Sequence, residues 1–139
     1  MSYSNVLLSL QPYVKKKLNE YRKYRQESLV NPLFPGEQTA FEIYKHFLSV
    51  LNFYTNEKFK DIDSEENQLE FSPKKDLTGQ IIQYIDQVFE NFCQFEKELL
   101  QDPKEFFKRE KFISIIIMHT VTHCGQALRL QAIYGRQFK

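Results

Sequence analysis

Two of the three histidines in this 139-residue chain stand four residues apart, in the run Ile115-Ile116-Ile117-Met118-His119-Thr120-Val121-Thr122-His123-Cys124-Gly125-Gln126. On an α-helix that spacing puts both imidazoles on one face, one turn apart. Helical zinc motifs use the same arrangement. The third histidine, His46, lies in a second apolar segment with a helical pattern. If the fold carries His46 across to the pair, three neutral imidazoles converge. Three protein ligands with one open position is the catalytic zinc pattern, whereas a closed structural site needs four. The competing reading is three unrelated histidines, each hydrogen-bonded in the core or exposed. Histidines on an apolar stripe must find polar partners, and a metal supplies one. No carboxylate shares the His119 face, and no Glu-x-x-His pattern is present, which argues against a carboxylate-rich di-iron site.

The elements that must position these rings follow from the periodicity. A first helix is expected over residues 3–30, carried by Val6, Leu7, Leu10, Val14, Leu18, Tyr21 and Tyr24. Pro12 either kinks it or marks a start near Leu10. Asn31-Pro32-Leu33-Phe34-Pro35-Gly36 ends it. A second helix is expected from 38 or 39 to 59, with Thr39 as N-cap and Glu42 completing a capping box. Its inward stripe is Ile43, His46/Phe47, Val50 and Phe53/Tyr54, so His46 is expected on the buried side or its edge. The polar stretch 60–73 reads as a loop with a short extended piece at 68–71. A third helix over 75–101 shows the seam Leu77, Ile81, Tyr84/Ile85, Val88, Phe92, Phe95 and Leu99. A last helix runs from 103 or 104 to 134, with Gly135 as its C-cap. Its central face is expected to carry Phe112, Ile115/Ile116, His119, His123, Gln126/Ala127 and Leu130. The expected fold is an all-α antiparallel four-helix bundle forming a single domain over 1–139.

Composition narrows the function classes. A net charge of +1 gives no electrostatic case for nucleic acid as the main partner. The local cluster Lys15-Lys16-Lys17, Arg22, Lys23 and Arg25 reads as a solvated helix face. No apolar run approaches the roughly 20 residues that span a bilayer, so no membrane partner is expected. The sequence start shows no signal-peptide pattern, and two cysteines fit a reducing compartment, so a cytoplasmic location is expected. Cys93 and Cys124 both read as small buried hydrophobes.

The string His119-x-x-x-His123-Cys124-Gly125-Gln126, followed by Arg129 and Tyr134-Gly135, resembles the last-helix signature of the DinB/YfiT-like superfamily, roughly His-x-x-x-His-Arg-Gly-Gln. The stretch Tyr44-Lys45-His46-Phe47-Leu48 resembles the family's second-helix segment, which carries its first ligand histidine. The resemblance implies a four-helix bundle that binds one divalent metal through His46, His119 and His123, with zinc, nickel or iron as plausible occupants. It also implies frequent homodimers. Its characterised members include S-transferases and isomerases that use a low-molecular-weight thiol such as bacillithiol, mycothiol or glutathione. Cys124 departs from the family's usual arginine, and so removes whatever anion contact that residue makes in relatives. Turned about 100° from His123 on a helix, Cys124 is expected to pack rather than to join the cluster. Gly125 is expected to permit a close helix approach. Gln126, one turn past His123, is placed to hydrogen-bond a group behind the metal ligands.

Three functions follow as expectations. In the first, an enzyme of the DinB/YfiT-like type holds a divalent metal on three histidines and transfers a low-molecular-weight thiol to a small-molecule electrophile. Tyr21, Tyr24, Phe53 and Tyr54 are candidates to line its pocket, although each reads more readily as plain core. Its catalytic residues beyond the ligands, and a general base, are not identifiable. In the second, a metal-binding stress-response protein has no catalytic turnover. The third is a structural helical module whose histidines never meet.

Overall fold

The computed structural model describes residues 2–56 and 68–137. All regular structure among them is helical: α1 (Tyr3–Glu20), a 3₁₀ turn (Tyr21–Tyr24), a short α2 (Glu27–Val30), α3 (Ala40–Thr55), α4 (Leu77–Leu99) and α5 (Pro103–Gln137). No helix among these residues is long and apolar enough to cross a membrane. α3 packs on α5 and α4, and α1 packs on α4 and α5 as well. The core between them is built from Leu7, Val14, Leu18, Tyr44, Phe47, Leu51, Ile81, Ile85, Phe89, Phe92, Ile113 and Ala127, among others.

The long first helix expected over 3–30 is broken. It runs unbroken through Pro12 but stops at Glu20, and Arg25 adopts φ 56° between the 3₁₀ turn and α2. An arginine in the left-handed region ends regular helix, because its Cβ crowds the backbone there. Nothing in the apolar spacing signals that break. The N-terminus of α1 has no side-chain cap of its own. Instead, the buried Glu96 carboxylate of α4 accepts from the Tyr3 and Ser4 amides, both at 3.0 Å, and from Ser4 Oγ at 2.7 Å. A carboxylate at a helix N-terminus satisfies orphan amides and complements the helix dipole.

The start of α3 matches its expected cap. Thr39 Oγ1 accepts from the Glu42 amide at 3.1 Å, and both halves of the capping box are present. The helix closes at Thr55; residues 57–59 of the expected helix lie outside the described residues, as does most of the expected loop. The segment 68–71 is not a strand. Instead the Leu69 amide donates to Ser49 Oγ at 3.0 Å, Tyr84 Oη donates to the Glu70 carbonyl at 2.6 Å, and Phe71 packs on Phe41 and Tyr84. This path fastens the chain to α3 and α4 beside His46.

Two glycine expectations are corrected. Gly135 is not a C-cap but lies inside α5, which continues to Gln137. A Cβ there would fall 2.1 Å from Tyr24 Cζ, so the glycine admits the tyrosine ring against the helix. Gly125 allows no close helix approach, because nothing lies within 4 Å of where its Cβ would be. The solvated reading of the basic α1 face agrees with its surface ion pairs, Lys15 with Asp86 and Arg22 with Asp76.

Candidate metal centre

α3 and α5 bring all three histidines together. One ligand atom from each of His46, His119 and His123 lies within 4.8 Å of the others. The Nε2 atoms of His46 and His119 are 3.3 Å apart. Ring centroids are 5.1 Å apart for His46 and His119, 5.4 Å for His46 and His123, and 4.3 Å for His119 and His123. Two imidazole nitrogens on one tetrahedral zinc, each at about 2.0–2.1 Å, sit roughly 3.3–3.4 Å apart. The His46–His119 separation already has that value. Among the described residues this is the one group of three or more potential ligands close enough to share an ion.

The setting differs from the expected buried stripe. His46 is exposed, and His119 and His123 are half-buried. The buried face of α5 is Ile113, Ile116, Ile117, Thr120, Cys124, Ala127, Leu128, Gln131 and Tyr134, rotated from the expected one. Phe112 and Ile115, both expected inside, are 49% and 51% exposed, and Gln126 also faces outward. The run 112–128 carries no charge on any side, so polarity could not fix which face turns inward. The histidines consequently sit at the rim of the α3–α5 contact, where a ligand can reach them.

Electrostatics keep the His119 ring available. Burial, reinforced by His123 and His46 alongside, pulls the His119 pKa down to about 4. That ring is therefore a neutral lone-pair donor at neutral pH. Its Nδ1 is buried without a hydrogen-bond partner. With Nε2 facing His46, either tautomer leaves Nδ1 unmet, so the cluster is not a closed hydrogen-bond network. His123 Nδ1 lies 2.7 Å from Gln126 Oε1. As the donor of that bond, Nδ1 carries the ring proton and leaves the Nε2 lone pair free.

A cavity of about 400 Å³ opens beside the histidines, lined by Gln38, Phe41, Lys45, His46, Val50 and His123, among others. Tyr21, Tyr24, Phe53 and Tyr54 do not line it, which leaves them the core reading rather than the pocket one. Tyr24 is used up against Gly135 and stacks on Tyr21, and Tyr54 packs on Phe95 and Phe112. Among the lining residues, Glu42 and Ser49 share the His46 face of α3 at steps of four and three, a signal that could have found them. Gln68 carried no such signal, because only tertiary packing returns the chain there. Cys124 is fully buried in the core, away from the cluster, and burial pushes its thiol pKa up to about 12.

No family model, curated protein or solved structure matches this chain.

Proposed function

We propose that the protein is a divalent-metal-binding antiparallel four-helix bundle of the DinB/YfiT-like type, with His46, His119 and His123 as the ligands. The observation that carries the reading is the convergence of three imidazoles, two of them at the spacing of a shared tetrahedral ion, on the edge of a cavity. The donor set fits zinc, nickel or iron(II), all of which imidazole suits. A cation bound there supplies Lewis acidity and lowers the pKa of a coordinated thiol or water.

The chain's own residues then fix the rest of the chemistry. With three neutral ligands and no carboxylate among them, the site stays positive and favours an anionic partner. Lys45, the one lysine or arginine among the described residues lining the cavity, adds to that preference. Phe41, Ile43 and Val50 offer apolar wall to a small substrate. These features support transfer of a low-molecular-weight thiol to a small electrophile.

Binding without turnover is the second reading, and one observation favours it. Glu42, the only carboxylate lining the cavity among the described residues, is engaged as the cap of α3 through Thr39. It is thus poorly placed to serve as a general base. Metal analysis of untagged protein, followed by a thiol-transfer assay with a model electrophile and several thiols, separates the two. Bound metal with activity lost in His46→Ala and His123→Ala, but kept in Cys124→Ser, supports the enzyme. Metal without activity for any thiol supports binding alone. A chain that holds no metal, and whose melting temperature ignores added Zn²⁺ or Ni²⁺, sinks both.

A further inference from the structure

We infer that Gln126 is a positioning residue for the metal centre, fixing the tautomer and orientation of His123; this rests on the metal reading above. Gln126 follows His123 by three positions on α5, so its side chain returns to the histidine across one helical turn. Its Oε1 meets Nδ1 at 2.7 Å, a short bond for neutral partners. Oxygen is an acceptor only, so the ring proton is drawn to Nδ1 and Nε2 keeps its lone pair. With the amide turned the other way, Nε2–H of the glutamine would donate to Nδ1 and move the ring proton to the nitrogen the ion needs. The same contact holds the ring plane, which otherwise turns freely about χ2 at a half-exposed position. His119 is held differently, by burial and by its neighbours, and its Nδ1 has no such partner. The cluster's geometry at His123 therefore depends on one amide.

The surroundings of Gln126 permit a clean test. It is exposed and lines a second cavity of about 490 Å³, with Leu33, Phe34 and Leu130 on its walls. A leucine at 126 meets apolar neighbours, and its helix propensity is close to that of glutamine. The fold should be indifferent to the exchange, and only the acceptor is lost. A glutamate keeps the acceptor and cannot present a donor when ionised.

The experiment titrates the full metal-free chain with Zn²⁺, and with Co²⁺ as a spectroscopic reporter, in wild type, Gln126→Leu and Gln126→Glu. Loss of the acceptor should weaken metal binding by about 10- to 100-fold, the range for partners that orient metal-bound histidines. The melting temperature without metal should match wild type, and Gln126→Glu should restore wild-type affinity or better it. A leucine variant with wild-type affinity overturns this inference alone and leaves the metal site standing. A leucine variant that melts early without metal, unrescued by glutamate, assigns Gln126 a structural role and also overturns it. A wild-type chain that binds neither ion overturns both readings together.

Discussion

α3 and α5 meet through two polar clusters, and they are finished differently. Toward the end of α5, Tyr44 Oη donates to Gln131 Oε1 at 2.8 Å, and Gln131 Nε2 donates to Ser28 Oγ at 3.1 Å. All three residues are at most 1% exposed. About two turns earlier on the same helix, His46, His119 and His123 converge at the rim with one buried nitrogen unmet. The first cluster closes on itself and ties α2, α3 and α5 together. The second gathers one ring nitrogen from each of three histidines within 4.8 Å of one another. Buried polar groups in a fold are normally satisfied, so an exception marks a place where stability was not the deciding demand. The difference teaches that one helix pair serves both purposes. The Tyr44–Gln131 end holds the two helices in register, and the histidine end uses that register.

If that division is right, the two ends should fail in different ways. The largest effect belongs to the histidines. His46→Ala or His123→Ala should weaken Zn²⁺ binding by more than about 100-fold, beyond what outer partners give, with little change in metal-free melting. Isothermal titration and melting curves on the same samples check this. The closed cluster should do the reverse. Tyr44→Phe leaves the buried Gln131 short of a donor and should cost about 1–3 kcal/mol in denaturant unfolding, with metal affinity unchanged. A Tyr44→Phe chain that folds normally but loses metal would erase the distinction.

A smaller effect concerns pH in the metal-free chain. His119 has its folded pKa lowered to about 4 from the usual 6.5, so below 6.5 the unfolded state takes up its proton first. The stability held by the neutral ring is complete above about pH 6.5 and should be lost progressively as pH falls toward 4. Because the ring is half-exposed, solvent screening keeps the effect modest. Proton NMR of His119 should show it still neutral at pH 5, while His119→Asn should flatten the corresponding slope of melting temperature against pH. The smallest effect is at Cys124. Its thiol, pushed up to about 12 by burial, should resist alkylation in the native state and react only after unfolding, with half-buried Cys93 reacting first. Native labelling of Cys124 would mean that the α3–α5 interior opens readily, and the contrast between the two clusters would blur.

Much of this was legible in the sequence, for reasons particular to certain residues. The capping box at Thr39 and Glu42 announced the start of α3, because its chemistry is local. Leu77, Ile81, Ile85, Val88 and Phe92 marked the buried seam of α4, because they recur at helical spacing among polar residues such as Gln80, Gln83, Asp86, Gln87, Glu90 and Asn91. The four-residue step from His119 to His123 set their rings on one face, by helix geometry alone. Those signals act within one or two turns and survive translation from sequence to structure.

Tertiary structure decided what those local rules left open. Glu96 is buried because the start of α1 arrives to take its carboxylate, a contact more than 90 residues away in sequence that no local pattern signals. Gly135 reads as a helix end until Tyr24 is found lying against it. The uncharged stretch 112–128 gave α5 no preferred inner face, and packing on α3 and α1 turned Cys124 inward and left Met118 70% exposed. That same rotation set His119 and His123 at the rim, within reach of His46 73 residues earlier in the case of His119. The sequence by itself determined that three imidazoles were present and that two were neighbours. Only the docking of α3 on α5 decided that the third would meet them, because a contact over that separation depends on the whole core and not on any nearby residue.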